Sequence, residues 1–172
     1  MASAITVKSI KPQRFKDEAF TAAMQEAARV TGNEMVLDFR ETTRTWKHKP
    51  KFEVLTAVDP NVEVLVGTDD AIYGYVNDGT KPHTIRPKRA KALRFQWGGK
   101  GSYMAKTRPR VIGSQPGGPR GPQVALPFVH HPGTEARNFD ATIEKKWTPR
   151  FKRLCEAAMR QGAAKSGHGV TG

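Results

Sequence analysis

Apolar side chains recur at three- and four-residue steps near the start of this chain. Phe15, Phe20, Met24, Ala27, Ala28 and Thr31 form one stripe, and Met35, Val36 and Phe39 continue it. That spacing predicts an amphipathic helix over residues 13 to about 41, with Gly32-Asn33 as a point of interruption. Residues 42–51 are polar and basic, carry Pro50, and read as a connector. The period then changes. Residues 52–58 and 62–68 are rich in β-branched residues and roughly alternate, and Asp59-Pro60-Asn61 between them is turn chemistry, so a β-hairpin is expected. Residues 72–76 suit either a third strand or a short helix, and Asn77-Asp78-Gly79 turns the chain. Leu93, Phe95 and Trp97 share one face of a further strand, and residues 124–129 supply a closing strand ended by Pro132-Gly133.

Residues 98–122 have almost no apolar periodicity and are dense in glycine and proline. They read as a long loop insertion, and loops beyond about 12–15 residues are usually functional or disordered. Helical spacing returns over residues 136–160 in Phe139, Ile143, Trp147, Phe151, Leu154, Cys155 and Ala158. Pro149 falls inside that pattern. An interior proline costs about 3 kcal/mol, so a fresh helix capped by Thr148 is the alternative. The expected fold is α+β: an antiparallel sheet of about four to five strands packed against an N-terminal and a C-terminal helix. A single domain is expected over residues 1–161, followed by a flexible tail over 162–172.

Composition narrows the field. A chain of 172 residues suits one domain, and its 37% hydrophobic share is lean, so part of it is expected to stay out of the core. The one cysteine excludes an intrachain disulfide and suits a reducing compartment. No apolar run approaches the roughly 18–20 residues that span a bilayer, and residues 1–7 lack the features of a signal peptide. Cytosol-like surroundings are expected, with later entry into a larger particle.

Charge is distributed unevenly. Residues 1–80 hold 10 Lys/Arg against 12 Asp/Glu, whereas residues 81–172 hold 19 against 4. No acid occurs between Asp78 and Glu135. Such asymmetry favours a polyanionic or acidic partner over a small substrate. Pro82 and Pro87 keep the start of this window extended, so it is no basic recognition helix. One reading is a solvated charged edge that protects a strand from aggregation. The other is contact with a nucleic-acid backbone, through phosphates rather than base edges, or with an acidic protein face. Lys81, Arg86, Lys88, Arg89 and Arg94 are the first candidates for that contact, and Lys100, Lys106, Arg108 and Arg110 on the loop are the second. Tyr73, Tyr75, Gly79, Pro82, His83, His131, Pro132, Gly133 and Phe139 are assigned to turns and core packing beside it.

Catalytic chemistry finds little support. His83, His130 and His131 lie near Asp78 and Glu135 in sequence, but without helical i, i+4 spacing, clustered carboxylates or cysteine partners. Cys155 falls on an apolar stripe, the setting of an inert buried thiol. Residues 98–102 superficially resemble a phosphate loop and lack its strand-loop-helix context. No catalytic residue, metal or cofactor is expected.

The window also carries an ordered set of short motifs. Tyr73 and Tyr75 precede Gly79-Thr80, then Pro82-His83, Ile85-Arg86-Pro87-Lys88 and Ala92-Leu93-Arg94-Phe95. His131-Pro132-Gly133-Thr134 and Phe139 follow before the last helix. In order and spacing this resembles the tail-component family of long-tailed phages over about residues 72–97 and 128–158. Residues 42–50 and the insertion at 98–122 depart from the family pattern. The resemblance implies a structural, non-enzymatic virion protein that completes the tail or joins it to the head. It implies a ring, often six-fold, of copies around the DNA channel at the neck. The implied neighbours are a head-side connector or adaptor and a tail-side terminator or tube protein, with non-specific contact to genomic DNA and no membrane. The expected location is the virion neck or tail, and the host cytoplasm during assembly. A stand-alone basic nucleic-acid-binding protein is the alternative.

Overall fold

The structure is a computed structural model that describes residues 16–59 and 61–168. The predicted helix start at residues 13–15, Pro60 of the turn, and residues 169–172 of the tail lie outside the described residues. The fold is α+β, with three helices and eight short antiparallel strands among the described residues.

Helix α1 spans Asp17–Thr42 without a break at Gly32. Asp17 and Glu18 in its first turn and Arg40 in its last complement the helix dipole. Gly32 is a packing residue, which corrects the expected interruption. A Cβ there would overlap Val54 Cγ1 and lie 3.3 Å from Val64 Cγ1. Its bare backbone lets the hairpin of β1 (Glu53–Ala57) and β2 (Glu63–Gly67) lie close on the helix. Val54 pairs with Val66 and Leu55 with Leu65. Val54, Val64 and Val66 are half-buried, and the opposite face carries Glu53, Leu55, Glu63 and Leu65 in the open.

Residues 71–77 resolve the strand-or-helix choice as a helix, α2 (Ala71–Asn77). Asp70 decides it locally, because its side chain accepts from Tyr73 N at 2.8 Å as an N-cap. Helix α3 spans Phe139–Lys165 and passes through Pro149 unbroken, so no second helix starts at Thr148. The Thr148 hydroxyl donates back to Glu144 O at 2.9 Å instead. Buried Phe139, Ile143 and Trp147 before the proline, and Ala158 and Gly162 after it, hold α3 against its neighbours on both sides of the defect. Gly162, where a tail was expected to begin, is within the helix. A Cβ there would come within 3.0 Å of the Phe20 ring. Just beyond, buried Ser166 accepts from Lys16 N at 2.9 Å, tying the end of α3 to the start of α1.

The remaining strands correct the expectation of one sheet. β3 (His83–Ile85) pairs with β8 (Val129–His131), β4 (Leu93–Gln96) with β7 (Gln123–Leu126), and β5 (Tyr103–Met104) with β6 (Gly118–Pro119). With β1–β2 these are four separate two-stranded ribbons. Proline explains much of the fragmentation, since it has no N–H to donate to a ladder. Pro127 splits the expected closing strand into β7 and β8, each with a different partner.

The core gathers Val36, Phe39, Phe52, Tyr73, Phe139, Ile143 and Trp147. Tyr73 is its centre, with ring centroids 5.1 Å from Phe52, 5.9 Å from Phe139 and 6.2 Å from Phe39. Asp38 on α1 joins the two long helices. It accepts from Lys146 Nζ at 2.8 and 2.6 Å and from Trp147 Nε1 at 2.7 Å.

Candidate interaction face

The basic window forms an arm of three ribbons, β3–β8, β4–β7 and β5–β6, outside this core. Its root is built by two distant pieces of sequence. Thr80 and Thr134 exchange backbone hydrogen bonds of 2.9 and 3.0 Å. Gly79 and Gly133 flank that bridge at φ 77° and 91°. A Cβ on Gly79 would sit 2.5 Å from Thr134 O, and one on Gly133 would overlap Thr80 O. Both glycines therefore serve close approach as well as the left-handed conformation. Beside the root, Asn77 Oδ1 accepts from Phe139 N at 2.8 Å and Asp140 N at 3.3 Å. Residue 77 thus caps α3 from outside, where Asn138 makes no side-chain cap of its own.

Further out, His83 opposes His131 and Thr84 opposes His130 across β3–β8. The histidines are occupied by the turns they sit in. His83 Nδ1 donates to Lys81 O at 2.8 Å, and His131 Nδ1 accepts from Gly133 N at 3.0 Å. Among the described residues, no group of three or more His, Cys, Asp or Glu gathers in a metal-binding arrangement. Burial raises the Cys155 thiol above its ordinary range, which disfavours the reactive thiolate.

Residues 98–122, expected as a long loop insertion, are anchored to the helical body by hydrogen bonds. Ser114 accepts from Thr45 N at 3.1 Å and donates to Glu41 O at 3.1 Å. Thr45 Oγ1 donates to Gln115 O and Lys106 Nζ to Thr45 O, each at 3.1 Å. Arg110 N donates to Arg137 O at 2.8 Å. The segment docks on the turn that follows α1, through Thr45 and the Glu41 carbonyl.

Between the arm and α2 lies a groove of about 830 Å³. Ile72, Phe95, Trp97, Tyr103 and Val129 supply its apolar lining, and Lys100 and Lys106 lie among its cations. Ile72, Trp97 and Tyr103 remain largely exposed.

The nine candidate cations are spread over this arm. Lys81, Arg86, Lys88, Arg89, Arg94, Lys100, Arg108 and Arg110 are exposed, and Lys106 is half-buried. None pairs with a carboxylate among the described residues, where the five ion pairs lie elsewhere. Arg86 lies over the Phe128 ring at 5.5 Å. Of the nine, only Lys100 and Lys106 line the groove. Tyr75 is corrected: it is 62% exposed and outside the core. Two residues along a helix turn the side chain about 200° from Tyr73, so the two tyrosines face apart. The sequence reading missed Ile72, Tyr103 and the outward leucines Leu55 and Leu65. Alternation placed Leu55 opposite Val54 but gave no sign of which face is covered. Set against family models, curated proteins and solved structures, the chain matches none of them.

Proposed function

We propose that the chain is a structural subunit of the neck of a long-tailed phage, a ring of copies that joins head and tail around the DNA channel. Its chemistry is recognition. The observation that carries the reading is the arm, an ordered set of ribbons that displays eight exposed cations with no carboxylate partner among the described residues. A channel wall needs a field that attracts DNA without gripping a sequence, and phosphate contacts from exposed Lys and Arg supply that. A ring subunit also needs apolar surface left for its neighbours, and Ile72, Trp97 and Tyr103 remain open. The family resemblance of residues 72–97 and 128–158 adds the location.

Sizing the purified protein alone, and after mixing with tail-less heads or head-less tails, tests this. The expected result is a defined oligomer, free or on a particle, with weak binding to free DNA. A monomer that binds DNA tightly and ignores both particles overturns it. The same unpaired cations favour a second reading, a stand-alone nucleic-acid-binding protein. That reading requires an affinity for free DNA that falls by orders of magnitude between 50 and 200 mM salt.

A further inference from the structure

Two surfaces left open among the described residues have complementary chemistry. The first is the outward face of β1–β2. Leu55 and Leu65 are direct cross-strand partners, 65% and 63% exposed. The register brackets them with Glu53 beside Gly67 on one side and Ala57 beside Glu63 on the other. The patch is thus two leucines between two carboxylates, on a ribbon that pairs with no further strand among the described residues. Side chains directly opposite on a sheet sit about 4.5–5.5 Å apart, so the leucines form one knob. The second surface is the groove beside the arm, which is concave, apolar through Ile72, Trp97 and Tyr103, and cationic through Lys100.

We propose that the Leu55/Leu65 knob of one copy seats in the Trp97/Tyr103 groove of the next, with Glu53 and Glu63 facing the groove's lysines. This rests on the ring reading and names its contact. Three observations favour a second copy as occupant. The knob is convex and the groove concave. Their charges are opposite, since Lys100, Lys106 and Arg137 outnumber Glu135 along the groove. Patch and complement lie on different elements of one chain, which produces a head-to-tail contact that repeats into a ring when its rotation closes. A polyanion suits the groove less well, because its lining is mostly apolar.

The test uses two full-length variants, each altered only at exposed positions and checked for native circular dichroism. The knob variant is Leu55→Lys with Leu65→Lys, and the groove variant is Trp97→Ala with Lys100→Glu. Each alone is expected to remain monomeric by sedimentation where the wild-type protein assembles. Mixed in equal amounts they are expected to form a heterodimer and nothing larger, because one brings an intact groove and the other an intact knob. Adding Lys100→Glu to Glu53→Lys with Glu63→Lys is expected to recover at least part of the assembly that the two Glu→Lys changes remove. If the wild-type protein forms rings and both variants do too, the knob-groove contact is wrong and the ring reading stands. If the wild-type protein is monomeric both free and with particles, the ring reading fails and takes this contact with it. If the groove variant loses binding to a DNA fragment yet still assembles, the groove is a nucleic-acid site and the proposal is overturned.

Discussion

Replacing Asp38 by alanine removes the polar clamp between the long helices, and its cost can be worked from the geometry. Three hydrogen bonds of 2.6–2.8 Å end on this carboxylate. Trp147 is 7% exposed, so its indole N–H is left without a partner and without ready access to water. Orphaning a buried donor costs about 1–3 kcal/mol. The Lys146 side chain is 34% exposed and its ammonium turns to solvent, so its share is held to about 0.5–1 kcal/mol. Together Asp38→Ala is expected to destabilise by about 1.5–4 kcal/mol. With a urea slope of about 2 kcal/mol/M, the midpoint falls by about 1–2 M, read by far-ultraviolet circular dichroism. Asp38→Asn keeps one acceptor for the indole and should cost about 1 kcal/mol. The loss on Asp38→Ala should also shrink when Trp147 is already phenylalanine, because no indole donor remains to be orphaned. An Asp38→Ala midpoint equal to wild type, or strict additivity with Trp147→Phe, refutes the reasoning.

Three further outcomes follow from the same contacts. Asn77→Ala strips the outside cap from α3 and uncovers two backbone N–H groups at the root of the arm, so it should lower stability by about 1–2 kcal/mol and speed amide exchange at Phe139 and Asp140. The Tyr73 hydroxyl is buried beside Thr42 with no hydrogen bond of good geometry among the described residues, and burial holds its phenol well above the ordinary range, so Tyr73→Phe should change stability by no more than about 1 kcal/mol in urea melts. Asp70 is held below the usual carboxylate range by His48 and by the Tyr73 N–H, so its contribution is full above about pH 4 and is lost as pH falls through its lower folded value. Asp70→Ser keeps a cap oxygen, and its stability should therefore decline less than wild type between pH 4 and pH 2.

The helices were legible because their stripes are long. Phe39, Ile143 and Trp147 fall on the predicted faces and lie in the core. The α+β class followed from the same patterns, and the 52–68 hairpin from its change of period. What stayed hidden depends on contacts between distant residues. Gly32 and Gly162 read as breakers, yet each admits a neighbour, Val54 in one case and the Phe20 ring in the other. Pro149 left a fresh helix after Thr148 as the alternative, but a helix packed on both sides of it holds through the defect. The order of residues 98–122 rests on single polar groups such as Ser114 meeting a helix terminus, and no periodicity records that. On the face proposed for interaction, the cations were visible as composition. The groove was not, because it exists only where three ribbons and α2 come together.

The Thr80–Thr134 bridge has a bearing on how the chain can vary. At that point it leaves the helical core and returns through adjacent, hydrogen-bonded positions. Residues 81–133 are therefore a closed detour, tied to the helical body at its two stitched ends and where Lys106, Arg110, Ile112, Ser114 and Gln115 dock on it. Loop closure grows slowly with length, at about 0.6 kcal/mol per doubling. Insertions in the ribbons away from those anchors can thus lengthen, shorten or recharge the arm at little cost to the helices beneath it. Those ribbons behave as an exchangeable cassette whose dimensions can be fitted to their surroundings, while Gly79 and Gly133, pressed against the backbone at the exit, tolerate no change.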